Sequence, residues 1–170
     1  KIILWDLETL PNPDIVLKNL QSIGNWPGRT MKAELNSIIS FGYKFLGSDK
    51  AEVINAWDFP NWDTDVNDDS VLVGIIYEIL KDADGIATHN GKKFDMKVLN
   101  TRLARWGYPP LDKRPHADTC VIARRSLTLY SNSLNNVAKF CGCESKMAHT
   151  GWDMWMDMYK RDPKSMKLMS

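Results

Sequence analysis

Short apolar segments separated by turn residues fill the first third of the chain, a pattern typical of strands. The first apolar run predicts a strand over residues 1–6, and two further runs predict strands over 37–46 and 52–56. Gly47, Ser48 and Asp49 predict the hairpin turn that joins the last two. We therefore expect three antiparallel strands, with residues 11–36 forming a long insertion between the first and the second.

Longer segments with helical spacing follow these strands. Apolar side chains recur every three or four residues over 71–82 and again over 94–107, starting at Phe94, which predicts two helices. A short strand over 84–88 is predicted between them, and another near 115–117 before a terminal helical segment. The acidic stretch 58–69 is predicted to be a surface loop. This order predicts an α/β fold whose mixed five-stranded sheet begins with the antiparallel strands, continues in β-α-β units and carries helices on both faces.

Length and composition are consistent with one soluble domain. The 170 residues include 44% hydrophobic ones, enough for one sizeable core, and no linker-like stretch divides residues 1–170. There is no run of about 18 apolar residues and no basic and apolar leader, so we expect a cytoplasmic protein without membrane contact. We also expect a monomer. The three cysteines lack the spacing of a zinc site and are expected to be reduced thiols.

Two carboxylates, Asp6 and Glu8, follow the first apolar run directly. Side chains two residues apart on a strand share a face, so both should point the same way. Neighbouring carboxylates at the edge of a core repel each other and resist desolvation unless a cation lies between them. Oxygen ligands suit Mg²⁺ or Mn²⁺, which commonly assist phosphoryl chemistry as a pair of ions. The alternative is that the strand ends in Asp-x-Glu because the chain emerges into water there.

A third carboxylate, Asp95, follows the fourth predicted strand. The segment from Thr88 to Asp95, with the sequence THNGKKFD, leads from that strand into the next helix and places Asp95 in the first helical turn. A strand-to-helix crossing delivers its residues to one end of a sheet. Asp95 can therefore reach the pair formed by Asp6 and Glu8.

These residues resemble the motifs of the DEDD (DnaQ-like) 3′–5′ exonucleases, a family with a ribonuclease H-like fold. The likeness is greatest to the proofreading domains of B-family DNA polymerases and their stand-alone bacterial and phage relatives. Asp6-Leu7-Glu8-Thr9 is similar to the first motif, Asp-x-Glu followed by Thr, and Asn90-Gly91-Lys92-Lys93-Phe94-Asp95 is similar to the second, Asn-x3-Phe-Asp. His116-Ala117-Asp118-Thr119 resembles a strand-end Asp-Thr found in many members, and 133–142 resembles the helix before the third motif.

The third motif of the family, Tyr-x3-Asp or His-x5-Asp on a late helix, is absent from residues 126–170 of this sequence. His149 lies where the second form has its catalytic histidine, but no aspartate follows at the required spacing. Of the late aspartates, Asp162 is followed by Pro163, which is typical of a helix start. Asp153 and Asp157 are therefore the remaining candidates for the fourth carboxylate. We expect the helix with the third motif to lie beyond the last residue given, so that residues 1–170 form an exonuclease domain without that helix.

The resemblance implies a metal-dependent exonuclease that releases mononucleotides from the 3′ ends of single-stranded DNA. It implies two divalent cations, Mg²⁺ or Mn²⁺, held by Asp6, Glu8 and Asp95. It also implies a partner, a single-stranded nucleic acid with a free 3′ end. The backbone of Leu7 and the side chain of Thr9 would lie against the last nucleotide, and Asn90 would contact the strand.

Two other functions stay open. The preference for DNA rests only on the analogy with proofreading domains, so a 3′–5′ exoribonuclease is the first alternative. The second is a catalytically deficient module of the same fold that binds nucleic acid without cleaving it, because the fourth carboxylate is missing from the sequence.

Charge is distributed unevenly, although the net charge is only +1. Residues 50–84 contain two basic and nine acidic side chains, whereas residues 92–125 contain nine basic and three acidic ones. The basic block flanks the second motif and predicts phosphate contacts, for which Lys92 and Lys93 are the best candidates. Arg102 and Arg105 are expected to lie on a solvated face of the helix instead.

Overall fold

The computed structural model describes residues 1–10, 36–111, 113–143 and 157–168. Its sheet has five strands in the order β3-β2-β1-β4-β5. The strands are β1 (Ile2–Leu10), β2 (Ser37–Phe45), β3 (Ala51–Asn55), β4 (Gly85–Thr88) and β5 (His116–Asp118). β1 pairs antiparallel with β2, which pairs antiparallel with β3, whereas β1, β4 and β5 run parallel to one another. The predicted mixed five-stranded sheet is therefore confirmed.

The α-helices of the described residues are α1 (Pro60–Thr64), α2 (Ser70–Lys81), α3 (Asp95–Arg105), α4 (Thr119–Ser126), α5 (Leu134–Phe140) and α6 (Pro163–Leu168). α2 and α3 occur where apolar periodicity predicts them, with ends that differ by one or two residues, whereas α1 and α4 are not predicted by it. The helix start predicted at Asp162-Pro163 is confirmed, because the Asp162 carboxylate accepts a 3.0 Å hydrogen bond from the backbone N–H of Ser165. In the described residues, no helix has both the length and the apolar character needed to cross a membrane.

The first strand is longer than predicted and carries the acidic residues within it. Its pairing with β2 continues from Ile3 opposite Phe45 to Leu10 opposite Ser37. The run at its start is not buried on both faces, since Ile2 and Leu4 are 42% and 36% exposed. The boundary predicted at residue 6 is therefore wrong, because the backbone hydrogen bonds to β2 maintain the strand beyond the end of the apolar run.

The core lies where alternate side chains of β1 pack with β2, α2 and α3. Ile3 and Leu7 are buried there, and a register shift between Glu8 and Thr9 interrupts the alternation. Bulges of this kind redirect the side chains that follow them. The main contributors from the other elements are Ile38, Phe41, Leu72, Val73, Ile76, Leu80, Val98, Leu99 and Leu103.

A buried ion pair joins three elements of this core. Asp69, directly before α2, accepts 2.7 Å hydrogen bonds from the Arg102 Nε and from the backbone N–H of Ile38 at the start of β2. It also accepts a 2.7 Å hydrogen bond from the Trp106 Nε1. The loop predicted over 58–69 is therefore wrong in part: the stretch includes α1, and Trp62 and Asp69 are buried.

The prediction of a solvated face is wrong for Arg102 and confirmed for Arg105. Arg102 is buried because Asp69 compensates its charge across 33 residues of sequence, and helical spacing does not reveal such a distant partner. Arg105 is exposed and its guanidinium lies 5.1 Å from the centre of the Trp106 ring.

Candidate active site

Asp6 and Glu8 lie near the middle of β1, in the centre of the sheet. The buried positions Trp5 and Leu7 alternate with them, so both carboxylates lie on the other face of the strand, as expected. Their neighbours on β2 are small, since Asp6 pairs with Gly42 and Glu8 with Ser40. β1 therefore presents two carboxylates side by side with little bulk beside them.

Asp95 is the first residue of α3 and is only 4% exposed. Burial raises the pKa of its carboxyl group, and the charges of Asp6 and, less strongly, of Glu8 raise it further, to about 7. Backbone hydrogen bonds from Asp95 and Leu7 act in the opposite direction. Asp95 therefore interacts with the backbone of Leu7 and with the charges of the two residues beside it, Asp6 and Glu8. The three carboxylates lie close together at the end of β4.

The residues present fit a divalent cation by their chemistry. Within the described part of the chain, no group of three or more His, Cys, Asp or Glu side chains is arranged to hold a metal ion. Three carboxylates nevertheless interact, and a cation among them would relieve the repulsion that contributes to the raised pKa of Asp95. The assignment of two Mg²⁺ or Mn²⁺ ions to Asp6, Glu8 and Asp95 stays a prediction.

The loop before α3 has a tightly constrained backbone. Asn90 has a φ of 64°, which is uncommon for a residue with a side chain. A Cβ atom at Gly91 would lie 2.3 Å from the Thr88 Oγ1 and 2.6 Å from the Thr88 Cβ, so only glycine fits there without displacing β4. The glycine of the second motif is thus required by the close approach of the loop to the strand.

Asp118 anchors this loop from the end of β5. Its carboxylate accepts hydrogen bonds from the backbone N–H of Asn90 at 2.9 Å and of Lys92 at 3.2 Å. It also caps α4 by accepting from the backbone N–H groups of Cys120 and Val121. Burial acts to raise the pKa of Asp118, but these four hydrogen bonds outweigh it and hold the pKa below its usual value.

Sequence reasoning missed this role of Asp118. It noted Asp118-Thr119 only as a resemblance. An aspartate at a strand end directly before a helical pattern is typical of a helix N-cap, and that signal indicates the contact with α4. The contact with the loop of the second motif depends on the pairing of β5 with β4.

The predicted nucleic-acid contacts occupy different environments. Lys92 and Lys93 are exposed, whereas the side chains of Leu7 and Thr9 are buried. This leaves the backbone of Leu7 for the contact that the resemblance assigns to it. Phe94, predicted on the apolar face of the helix, instead precedes α3 and is 46% exposed, so that prediction is wrong. These placements leave the predicted contacts with nucleic acid as predictions.

Comparison with known proteins gives the family. The family model of the RNase H superfamily matches residues 29–164. The chain belongs to the RNase H superfamily. It is 39% identical to the DNA polymerase III PolC-type of Ureaplasma parvum serovar 3 (strain ATCC 700970) over 54 residues. These aligned residues make up 32% of this chain and 4% of that protein. The family B DNA polymerase from the hyperthermophilic archaeon Pyrobaculum calidifontis has the same fold, with a TM-score of 0.66 at 15% identity, over 98% of this chain and 22% of that chain.

This RNase H superfamily chain thus spans a small part of either polymerase. Its membership and these two similarities confirm the predicted resemblance to a DEDD 3′–5′ exonuclease domain and the predicted ribonuclease H-like fold. The superfamily is one of nucleases, so the coarse class of the predicted function is confirmed as well.

The residues considered for the third motif are only partly described. His149 and Asp153 lie outside the described residues, as do residues 11–35 of the long insertion. Asp157 is described: its carboxylate lies 3.5 Å from the Ser165 Oγ and 3.9 Å from the Lys160 Nζ. Neither contact tests its predicted catalytic role, which stays a prediction.

Proposed function

We propose that this member of the RNase H superfamily is a metal-dependent 3′–5′ exonuclease that releases mononucleotides from single-stranded DNA. The observation that carries the proposal is the convergence of Asp6 and Glu8 on β1 with Asp95 at the start of α3, expressed in the raised pKa of Asp95. Clustered carboxylates of this kind are the usual ligands of the metal ions that assist phosphodiester hydrolysis. The similarity to a PolC-type DNA polymerase supports DNA as the substrate.

Asp6, Glu8 and Asp95 would hold the two divalent cations, and Asp157 is the candidate among the described residues for a fourth carboxylate. Bound cations would neutralise the charge that develops on the phosphate during hydrolysis. The backbone N–H of Leu7 orients the Asp95 carboxylate.

The residues around the carboxylates supply the rest of the substrate site. A cavity of about 270 Å³, called here the terminal cavity, lies beside Asp6 and is lined by Leu4, Ala87 and Leu134 among others. Its apolar lining would accept the terminal nucleoside and exclude water. Lys92 and Lys93, exposed on the loop that leads to Asp95, would bind phosphates of the strand.

The proposal is tested by the release of labelled mononucleotides from single-stranded DNA with a free 3′ hydroxyl group in the presence of Mn²⁺. Hydrolysis should be lost in Asp6→Asn and in Glu8→Gln, with no fall in melting temperature. Asp49→Asn, which removes an exposed carboxylate on the hairpin turn, is the matched control and should keep full activity. Absence of release from any substrate in the wild-type protein would refute the nuclease assignment.

Parallel substrates decide between the alternatives. Faster release from single-stranded RNA than from DNA would indicate the exoribonuclease. The catalytically deficient binding module is the second alternative. It predicts binding without hydrolysis, and equal affinity for free and blocked 3′ ends.

A further inference from the structure

A second cavity adjoins the terminal cavity. It has a volume of about 570 Å³, and its lining includes Asn90, Arg124, Tyr130 and Asn132. Both cavities are lined by His89 and Leu134, so they adjoin each other at these two residues. We call it the Tyr130 cavity. A strand whose 3′ end lies at Asp6 can reach it by passing His89 and Leu134.

Tyr130 presents its whole side chain at this cavity. Its relative exposure is 103%, the highest among the exposed large apolar and aromatic side chains of the described residues. The neighbouring loop is nevertheless held in place, because His89 lies 2.9 Å from the Thr119 Oγ1 and 3.0 Å from the main-chain oxygen of Asn132. An aromatic ring on such a support is suited to stacking with a base, since every base has a π-face.

The polar groups around the ring suit the remaining parts of a nucleotide. Arg124, exposed on α4, brings a positive charge to the cavity. The side-chain oxygen of Asn132 is buried and has no hydrogen-bond partner among the described residues. A rotation of this amide toward the cavity would give it a partner on a bound base or sugar. Asn90, at the rim, belongs to the loop that carries Asp95.

We propose that the Tyr130 cavity binds a nucleotide upstream of the 3′-terminal one, with its base stacked on Tyr130 and its phosphate paired with Arg124. This subsite rests on the proposed function for its orientation, since it takes the 3′ end to lie at Asp6. Stacking on an aromatic ring tolerates every base, so the subsite adds affinity for single strands of any sequence. It excludes duplexes, whose bases are already stacked.

The test measures binding of 3′-hydroxyl oligothymidylates of one to five nucleotides, in EDTA, by fluorescence anisotropy. Wild-type affinity should rise at the length that first fills the Tyr130 cavity. In Tyr130→Ala that gain should fall by about 5- to 150-fold, the range for loss of one base–aromatic stack, whereas binding of the mononucleotide should not change. Tyr130→Phe should keep the wild-type values, because stacking does not need the hydroxyl group.

Arg124→Ala should weaken binding of the longer oligomers and reduce the salt dependence of their affinity. Arg125→Ala is the matched control, since Arg125 is an exposed neighbour on α4 outside the lining of the cavity. The proposal is overturned if Tyr130→Ala binds every length as the wild type does, if it loses affinity equally for the mononucleotide, or if the wild type binds no oligomer.

These outcomes are separable from those of the proposed function. A protein that hydrolyses DNA with Mn²⁺ but shows no length-dependent loss in Tyr130→Ala retains the exonuclease assignment and lacks the subsite. A protein that releases no mononucleotide but shows the length-dependent loss has the subsite without the activity.

Discussion

Replacing Asp95 by asparagine should stabilise the metal-free protein at neutral and alkaline pH, although Asp95 belongs to the candidate active site. Its pKa rises from an ordinary 3.8 to about 7 in the folded protein, first because of burial and then because of the charge on Asp6. As pH rises between these values, the unfolded chain loses the proton while the folded chain keeps it. The folded state therefore loses stability over this window.

The magnitude follows from the shift of the pKa. Each unit corresponds to about 1.4 kcal/mol, so the charged Asp95 carboxylate lowers the free energy of unfolding by about 4 kcal/mol above pH 7. No such loss is present below about pH 4, where the group is protonated in both states. Asp95→Asn does not titrate and should recover up to this amount. Asp6→Asn should recover less of this stability, because the burial of Asp95, the larger cause of its raised pKa, persists in that variant.

The assay is urea denaturation in EDTA at intervals from pH 4 to pH 8.5, with the difference between wild type and variant taken at each pH so that other titrating groups cancel. The difference should be small at pH 4 and largest at pH 8.5. Replacing EDTA with Mn²⁺ at pH 8.5 should stabilise the wild type and have little effect on Asp95→Asn, because an ion stabilises only the state that binds it. Parallel pH profiles for the two proteins would refute the reasoning.

Three further predictions concern the surroundings of the site. Asp69→Ala should lower the free energy of unfolding by about 3–5 kcal/mol in urea denaturation, because it leaves the buried charge of Arg102 without its partner. Asp118→Asn should reduce kcat for nucleotide release more than it reduces DNA affinity. The change turns one of the two oxygens that accept from the backbone N–H groups of Asn90 and Lys92, in the loop before Asp95, into an amide donor. Lys92→Gln with Lys93→Gln should lower the slope of log Kd against log salt concentration by about one to two, measured with single-stranded DNA.

Each of these has its own control. For the ion pair, Lys97→Ala removes an exposed cation of the same helix and should change stability by at most about 0.5 kcal/mol. For Asp118, a purely structural role would be indicated if kcat falls together with the melting temperature and if saturating substrate does not restore kcat. For the lysines, Lys50→Gln on the hairpin should leave the salt slope unchanged. The same slope in the wild type, in the double lysine variant and in Lys50→Gln would contradict phosphate binding by Lys92 and Lys93.

Local patterns in the sequence determined the order of the elements and part of the candidate site. Asp6 and Glu8 share a face because a strand repeats every two residues, and Asp95 begins a helix because the apolar spacing changes after Phe94. These features depend only on neighbouring residues. They were enough to predict the β1 carboxylates, the crossing to Asp95 and the likeness to an exonuclease domain.

Only the tertiary structure decided how far these elements extend and what surrounds them. β1 continues to Leu10 because β2 pairs with it, and Arg102 is buried because Asp69 lies opposite it on another element. Asp118 reaches the loop at Asn90 because β5 lies beside β4. Each of these contacts joins residues 27 or more positions apart, and the free energy that fixes them comes from burial and hydrogen bonds across elements, which periodicity along one element does not encode.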